Sequence, residues 1–292
     1  QEGVFNFEDA DKLVKLGEEN NMFVVGHTLV WHSQTPDWLF TDENGKDVSR
    51  EVLIERMRKH IYTVVGRYKG RVHGWDVVNE AINGPDGWRN TKWKQIIGKE
   101  YFDLAFQFAH EADPGAELYY NDYNMHLPEK RKAAVRLIQR LQNKGIPIHG
   151  VGMQAHYSLD TDLKEVEKSI KAYSQLGVKV MLTEIDISVL PRPSKRMSAN
   201  VTDKFEYQKK LNPYINGLPD SVQKELAKKY ESLFKILLKH EDVVSRATFW
   251  GLNDGVSWKN NFPVKGRTNY PLLFDRKNNP KPAYHAVINL VK

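Results

Sequence analysis

Two glutamates stand at the ends of apolar runs that read as buried strands. Glu80 closes Val72 to Val78 in the stretch Gly74-Trp75-Asp76-Val77-Val78-Asn79-Glu80-Ala81, and Glu184 is carried by Val178-Lys179-Val180-Met181-Leu182-Thr183-Glu184-Ile185-Asp186. Strands that each deliver one Glu to the same end of a parallel sheet make a carboxylate pair. Two close carboxylates do not both ionise cheaply, so such a pair holds one acid beside one anion. The other strand-like runs also end in hydrogen-bonding or aromatic groups: His27 with Trp31, His32 and Gln34; Asn121 to Asn124; Gln154 with His156; Trp250 with Asn253 and Trp258. A lone Glu at a strand end is ordinary solvated loop; polar ends on every strand are not explained as surface. The 7 Trp and 13 Tyr, several next to Asn, Gln, Asp and His, suit a sugar ring, with its apolar face and hydroxyl rim.

The elements that must position these groups alternate. Helix is predicted over Asp9–Glu19, then strand over Met22–Gly26. Ser49 is placed to cap a long helix with Leu53, Met57, Ile61 and Val64 on one side. The strand ending at Glu80 follows, then a helix over Tyr101–Glu111 and strand Glu117–Tyr120. Pro128 opens the next helix, Leu137, Ile138 and Leu141 point inward, and Gly145 lies just past its end. Strand Gly150–Gln154, a helix capped by Thr161 or Asp162 and closed by Gly177, and the strand carrying Glu184 come next. After a polar loop, Ser221–His240 reads as helix, Ala247–Trp250 as strand and Lys281–Leu290 as a closing helix. Six strand–helix units imply a parallel sheet wrapped by helices, with the site at the strands' C-terminal ends. An open doubly wound sheet fits the alternation as well. The lack of a Gly-rich first turn, and polar residues at every strand end rather than at one switch point, favour the barrel.

Composition narrows the function. At 292 residues and 40% apolar, the chain has enough material for one large core. No run approaches the roughly 18 to 20 apolar residues that cross a bilayer, and Gln1-Glu2-Gly3-Val4 is not a signal peptide, so the chain as given is predicted to be soluble with any export signal outside it. The absence of Cys excludes disulfides, thiolate zinc sites and a Cys nucleophile. The net charge of +6 comes from Lys and Arg on predicted helix faces, such as Lys130-Arg131-Lys132 and Lys228-Lys229, where solvation is the expected role and nucleic acid is not an expected partner.

Six motifs carry a family resemblance. His27-Thr28-Leu29-Val30-Trp31-His32-Ser33-Gln34, Trp75-Asp76-Val77-Val78-Asn79-Glu80, Tyr120-Asn121-Asp122-Tyr123-Asn124, Gly152-Met153-Gln154-Ala155-His156, Thr183-Glu184-Ile185-Asp186 and Phe249-Trp250-Gly251 resemble, in order, those of family 10 of the glycoside hydrolases, the endo-β-1,4-xylanases. The match runs from about Val4 to Ala286. It implies a (β/α)8 TIM barrel, hydrolysis of internal β-1,4-xylosidic bonds of xylan with retention, and no cofactor. It implies Glu80 as acid/base and Glu184 as nucleophile, supported by Asn79, His156 and Asp186. His27, Trp31, Gln34, Tyr123, Asn124, Gln154, Trp250 and Trp258 are implied as sugar-binding residues, and the His27–Thr28 peptide as cis. Retention requires the two carboxyl groups about 5 to 5.5 Å apart across the glycosidic bond. Raising the Glu80 pKa by about two units takes roughly 2.7 kcal/mol of differential interaction. Once Glu184 is glycosylated its charge is gone, the Glu80 pKa falls, and Glu80 becomes the base that activates water.

Members of the family begin with a strand, a helix and a second strand that supplies an Asn and a Lys to the glycone side. This chain starts after that second strand. Residues 1–292 are therefore expected to be the catalytic barrel without its first strand–helix–strand portion, which would leave two hydrophobic edges. The expected partners are xylan, xylo-oligosaccharides and that segment, as a separate piece or set apart by an inserted carbohydrate-binding module. The expected location is secreted, periplasmic or cell-surface. Other motifs are weak. The His spacing is not that of a metal site, and Asp160-Thr161-Asp162 opens like a calcium loop but lacks the later Gly and Glu. Asn200-Val201-Thr202 is a formal glycosylation sequon, and Arg192, Lys195 and Arg196 lie in the Leu190–Asn212 loop, where they would meet acidic xylan side chains or, more simply, solvent. The competing functions are a related β-1,4-glucanase or mixed-linkage glycanase, since xylose and glucose sites differ by room for one hydroxymethyl group, and a non-catalytic polysaccharide-binding protein.

Overall fold

The structure, a computed structural model, describes residues 2–83, 87–194 and 204–291. Lys195, Arg196 and the sequon Asn200-Val201-Thr202 lie outside the described residues. The chain forms two compact units, Gln1–Asp122 with Lys132–Gly152, and Tyr123–Arg131 with Met153–Lys292.

In the first unit, α1 (Glu8–Glu19) leads into β1 (Val25–Val30). The strand begins later than the predicted Met22–Gly26, because Asn21 turns the chain at φ 51° and Met22 and Phe23 stay exposed. The Ser49 hydroxyl accepts from the Val52 amide at 3.3 Å and starts α2 (Arg50–Arg67), which buries Leu53, Met57, Ile61 and Val65. The buried stripe runs through Val65 rather than Val64, since i, i+4 steps from Met57 and Ile61 land there. β2 (Gly74–Asn79) is buried at every position. A short helix that the sequence reading omits, α3 (Lys92–Ile97), is capped by Thr91 and precedes α4 (Glu100–Ala112), β3 (Glu117–Asp122), α5 (Pro128–Asn143) and β4 (Gly150–Met153).

β1, β2 and β3 pair in parallel, with His27 opposite Asp76 and Asn79 opposite Asn121. Gly26 is required by packing: a Cβ there would lie 2.1 Å from the Trp75 ring. Two histidines preceding strands fix the neighbouring ones. His73 Nδ1 accepts from the Val24 amide at 3.0 Å, and His149 Nδ1 from the Leu118 amide at 2.9 Å.

In the second unit, β5 (His156–Ser158), β6 (Lys179–Ser188) and β7 (Val244–Phe249) pair in parallel in that order. The predicted single strand Gly150–Gln154 ends at Met153, and the chain resumes as β5 beyond Ala155, which has φ 60°. Among the described residues seven strands thus stand where six were expected. Asp162, not Thr161, caps α6 (Leu163–Ser174) by accepting from the Lys164 amide at 2.9 Å. Asp160 pairs with Arg192 at 2.9 Å, so neither acid of the calcium-like triplet is set aside for a cation. α7 (Asp220–Lys239) precedes β7, and α8 (Pro282–Ile288) passes into a 3-10 turn over Asn289–Val291. Among the described residues no helix is long and apolar enough to cross a membrane.

Candidate active site

The ends of the strands share an uncommon backbone feature. Four non-glycine residues with positive φ follow the first four strands: Gln34 (51°) after β1, Glu80 (58°) after β2, Asn124 (55°) after β3 and Ala155 (60°) after β4. Such residues cost of order 1–3 kcal/mol each and persist only where their surroundings over-determine them. They turn the chain sharply as it leaves the sheet.

In the first unit, Glu80 is 3% exposed, its amide donates to the Asn121 carbonyl at 2.9 Å, and its own carbonyl accepts from Arg89 Nε at 2.8 Å. His32 Nε2 stands 4.0 Å from Glu80 Oε2. Buried Asn79 accepts from Asn121 Nδ2 at 3.1 Å. The His27–Thr28 peptide is cis, as the resemblance implies. His27 Nδ1 lies 2.8 Å from Asp76 Oδ2, and the Thr28 hydroxyl donates to the Asp76 carbonyl at 2.8 Å. The Trp31 carbonyl accepts from Trp93 Nε1 at 2.9 Å. Trp31, His32, Asn79, Glu80, Trp93 and Tyr101 line one tight recess, so the structure brings Trp31, Asn79 and Glu80 together. Gln34 is exposed beyond them.

In the second unit, Glu184 is 5% exposed and its amide donates to the carbonyl of buried Gln154 at 2.9 Å. His156 lies between two carboxylates, its Nε2 3.1 Å from Glu184 Oε2 and its Nδ1 3.1 Å from Asp186 Oδ2. Asp186 also accepts from Trp258 Nε1 at 2.7 Å and faces Lys259 Nζ at 3.4 Å. Trp250, 39% exposed, follows β7, and its amide donates to the Ile185 carbonyl at 3.1 Å. Tyr123 is 3% exposed, with the Lys130 ammonium 3.7 Å over its ring, so it offers little open aromatic face. Asn124 is half-buried beside it. Asn253 serves a turn, accepting from the Gly255 and Val256 amides.

Charge follows from this geometry. Burial pushes the His156 pKa down, but Asp186 and Glu184 outweigh it and raise the value to about 9. Burial raises the Asp186 pKa; His156, Lys259 and Trp258 overcome that and leave it below the usual carboxylate value. His156 is therefore held as an imidazolium beside the Asp186 carboxylate. Because the folded pKa of His156 lies above its ordinary 6.5, its contribution to stability is full below about pH 6.5 and is lost as pH rises through 9. Thermal unfolding followed from pH 6 to pH 10 is expected to show a loss of up to roughly 3 kcal/mol. A His156→Asn protein is expected to lack that slope; an unchanged slope would remove His156 as its source.

Comparison with known proteins then decides the family. The family model of glycosyl hydrolase family 10 matches residues 1–290. The chain belongs to glycosyl hydrolase family 10. Endo-1,4-beta-xylanase A of Xylanibacter ruminicola is 50% identical to this family 10 chain, over 99% of the chain and 79% of that protein. Endo-1,4-beta-xylanase of Geobacillus stearothermophilus is 45% identical, over 99% of the chain and 84% of that protein. A solved family 10 endoxylanase retrieved from a sugarcane soil metagenome superposes with a TM-score of 0.96 at 48% identity, over 98% of this chain and 84% of that one. The (β/α)8 fold class expected from the resemblance therefore holds. The family motifs did not point to Arg89, Trp93, Lys130 or Lys259. Arg89 and Lys259 each directly follow a Trp in the sequence, and a cation beside a Trp near a strand end was the available signal.

Proposed function

We propose that this protein is a retaining endo-1,4-β-xylanase, with Glu184 as nucleophile and Glu80 as acid/base. The observation that carries the reading is His156 held between Glu184 and Asp186: an imidazolium 3.1 Å from Glu184 favours its ionised form, the state an attacking carboxylate needs. Glu184 attacks the anomeric carbon while Glu80 protonates the departing oxygen, giving a glycosyl ester on Glu184. Glu80, now a carboxylate, takes a proton from water as that water attacks the same carbon and frees Glu184. Asn79 donates to the sugar 2-hydroxyl. His27, Trp31, Gln34, Trp250 and Trp258 bind the glycone side, Tyr123 and Asn124 the far side, and Gln154 lies by the nucleophile. The chemistry draws on no cofactor.

The substrate is xylan and its oligosaccharides. A polymer of that size is cut outside the cytoplasm, so the protein is secreted, periplasmic or at the cell surface. Residues 1–292 act as the catalytic barrel domain. Among the described residues β1 pairs only with β2 and β7 only with β6, and Phe23, Leu13, Leu16 and Leu252 are at least half exposed. Such edges call for pairing or cover. A strand–helix–strand segment provides it, as a separate piece or set apart by an inserted carbohydrate-binding module. A soluble, fully active monomer of residues 1–292 alone would sink this part of the reading. The activity is tested by reducing-sugar release from xylan and from cellulose, with proton NMR of the first product formed. Release from xylan with the β-anomer appearing first is expected. Release from cellulose alone selects the glucanase, the α-anomer first rejects retention, and tight xylan binding without release selects the binding protein.

A further inference from the structure

Lys259 is 6% exposed, and its ammonium meets two groups. Nζ is 3.4 Å from Asp186 Oδ1 and 4.6 Å from the centroid of the Trp258 ring. That ring donates its own N–H to the other Asp186 oxygen at 2.7 Å and lies 4.8 Å, centroid to centroid, from His156. Asp186 is fully buried; Trp258 and His156 both meet its Oδ2, and Oδ1 faces the Lys259 ammonium. Burying an ammonium is costly unless it is paired, and a Leu or Met would fill the same volume without that cost. The charge therefore needs a reason.

We infer that Lys259 is a positioning residue for the nucleophile, balancing the charge of the Glu184–His156–Asp186 cluster and fixing the plane of Trp258. The inference rests on the reading of Glu184 as nucleophile. Without Lys259, two carboxylates share one imidazolium, and the net negative charge makes each proton in the cluster harder to remove. His156, whose pKa Lys259 pulls down, would then titrate higher. The other charges acting on Lys259 are the cations Arg267 and Arg192, which with burial lower its pKa against the pull of Asp186. Arg267 donates to the Pro191 and Phe262 carbonyls and Arg192 pairs with Asp160, so neither stands in for Lys259 at Asp186.

The test compares the wild type with Lys259→Met and Lys259→Arg. The pH profile of kcat/KM is read on an aryl β-xylobioside, and the His156 ring is titrated by NMR. In the methionine protein the acid limb is expected to move up by roughly 0.5–1 pH unit. The His156 titration moves up with it, and KM rises several-fold as Trp258 keeps its Asp186 hydrogen bond but loses the ammonium beside its ring. The arginine protein is expected to restore the acid limb and the titration. An activity loss uniform across pH with an unmoved His156 titration would overturn the inference, as would an arginine protein that behaves like the methionine one. If Lys259→Met does not fold, Lys259→Gln carries the same expectations. The NMR titration reads the charge balance even if the protein cleaves no xylan, so failure of the proposed activity and failure of this inference are told apart.

Discussion

A Glu184→Ala protein is expected to lose xylan hydrolysis by at least about 10⁴-fold, with the fold intact. Glu184 sits in β6 with its amide tied to Gln154, so the backbone does not depend on the side chain that is removed. On the proposed roles, removing it deletes the atom that forms the covalent bond, and Asp186 on the same strand does not replace it, because it is bound by Trp258 and faces His156 and Lys259. Azide is small enough to enter the space left by the carboxyl group. With an activated aryl xylobioside, it should restore turnover and yield the α-glycosyl azide by attack from the vacated face. A Glu80→Ala protein should behave differently: it loses xylan cleavage by about 10²–10⁴-fold. It still forms the ester from a substrate whose leaving group needs no proton, and azide then gives the β-product. If Glu184→Ala retains xylan cleavage, or the two azide products have the same configuration, the assignment of roles is wrong. Product NMR decides both.

Lys281→Met is expected to destabilise the protein by about 3–5 kcal/mol. Lys281 is 6% exposed, and its ammonium lies 2.8 Å from Asp254, itself fully buried, and donates to the Tyr270 and Leu272 carbonyls. Burial lowers the Lys281 pKa and raises that of Asp254, and each charge is the main group that offsets the other's burial. Removing the ammonium leaves a buried carboxylate that still accepts from the Leu272 amide at 2.9 Å but has lost its ion-pair partner. Replacing both, as in Lys281→Met with Asp254→Leu, is expected to recover much of the loss, because the cost of desolvating two ions goes with them. Chemical denaturation of the three proteins checks this. A single variant within about 1 kcal/mol of wild type would show that the pair is solvated in solution.

Much of this was legible in the chain itself. The apolar runs before Glu80 and Glu184, the cap at Ser49, Pro128 at the start of α5 and Gly145 beyond its end are local signals, and the structure keeps each of them. The break at Ala155 was not legible, because a positive φ at a non-glycine residue is imposed by its surroundings and not announced by its type. The short α3 was missed because six residues carry too little periodicity, although Thr91 was a usable cap. For the site, the residue types at strand ends announced a polar rim. Which carboxylate His156 would serve was implied only by resemblance, and its contact with both emerges from the parallel register that sets His156 opposite Asp186. Lys259 was silent because a Lys reads as surface until its burial is known.

The left-handed turns at Gln34, Glu80, Asn124 and Ala155 also limit how this protein can change. β-branched residues are nearly excluded from that backbone region, whereas Gly, Asn and Asp enter it easily. At these four positions, drift by single substitutions is confined to a few residue types, whatever the ligand would prefer. New substrate preferences must then arise at neighbours with ordinary φ, such as Trp31, Asn79 or Trp250. A library that randomises those neighbours while leaving the four turns fixed would hold a far larger share of folded members than one that randomises the turns.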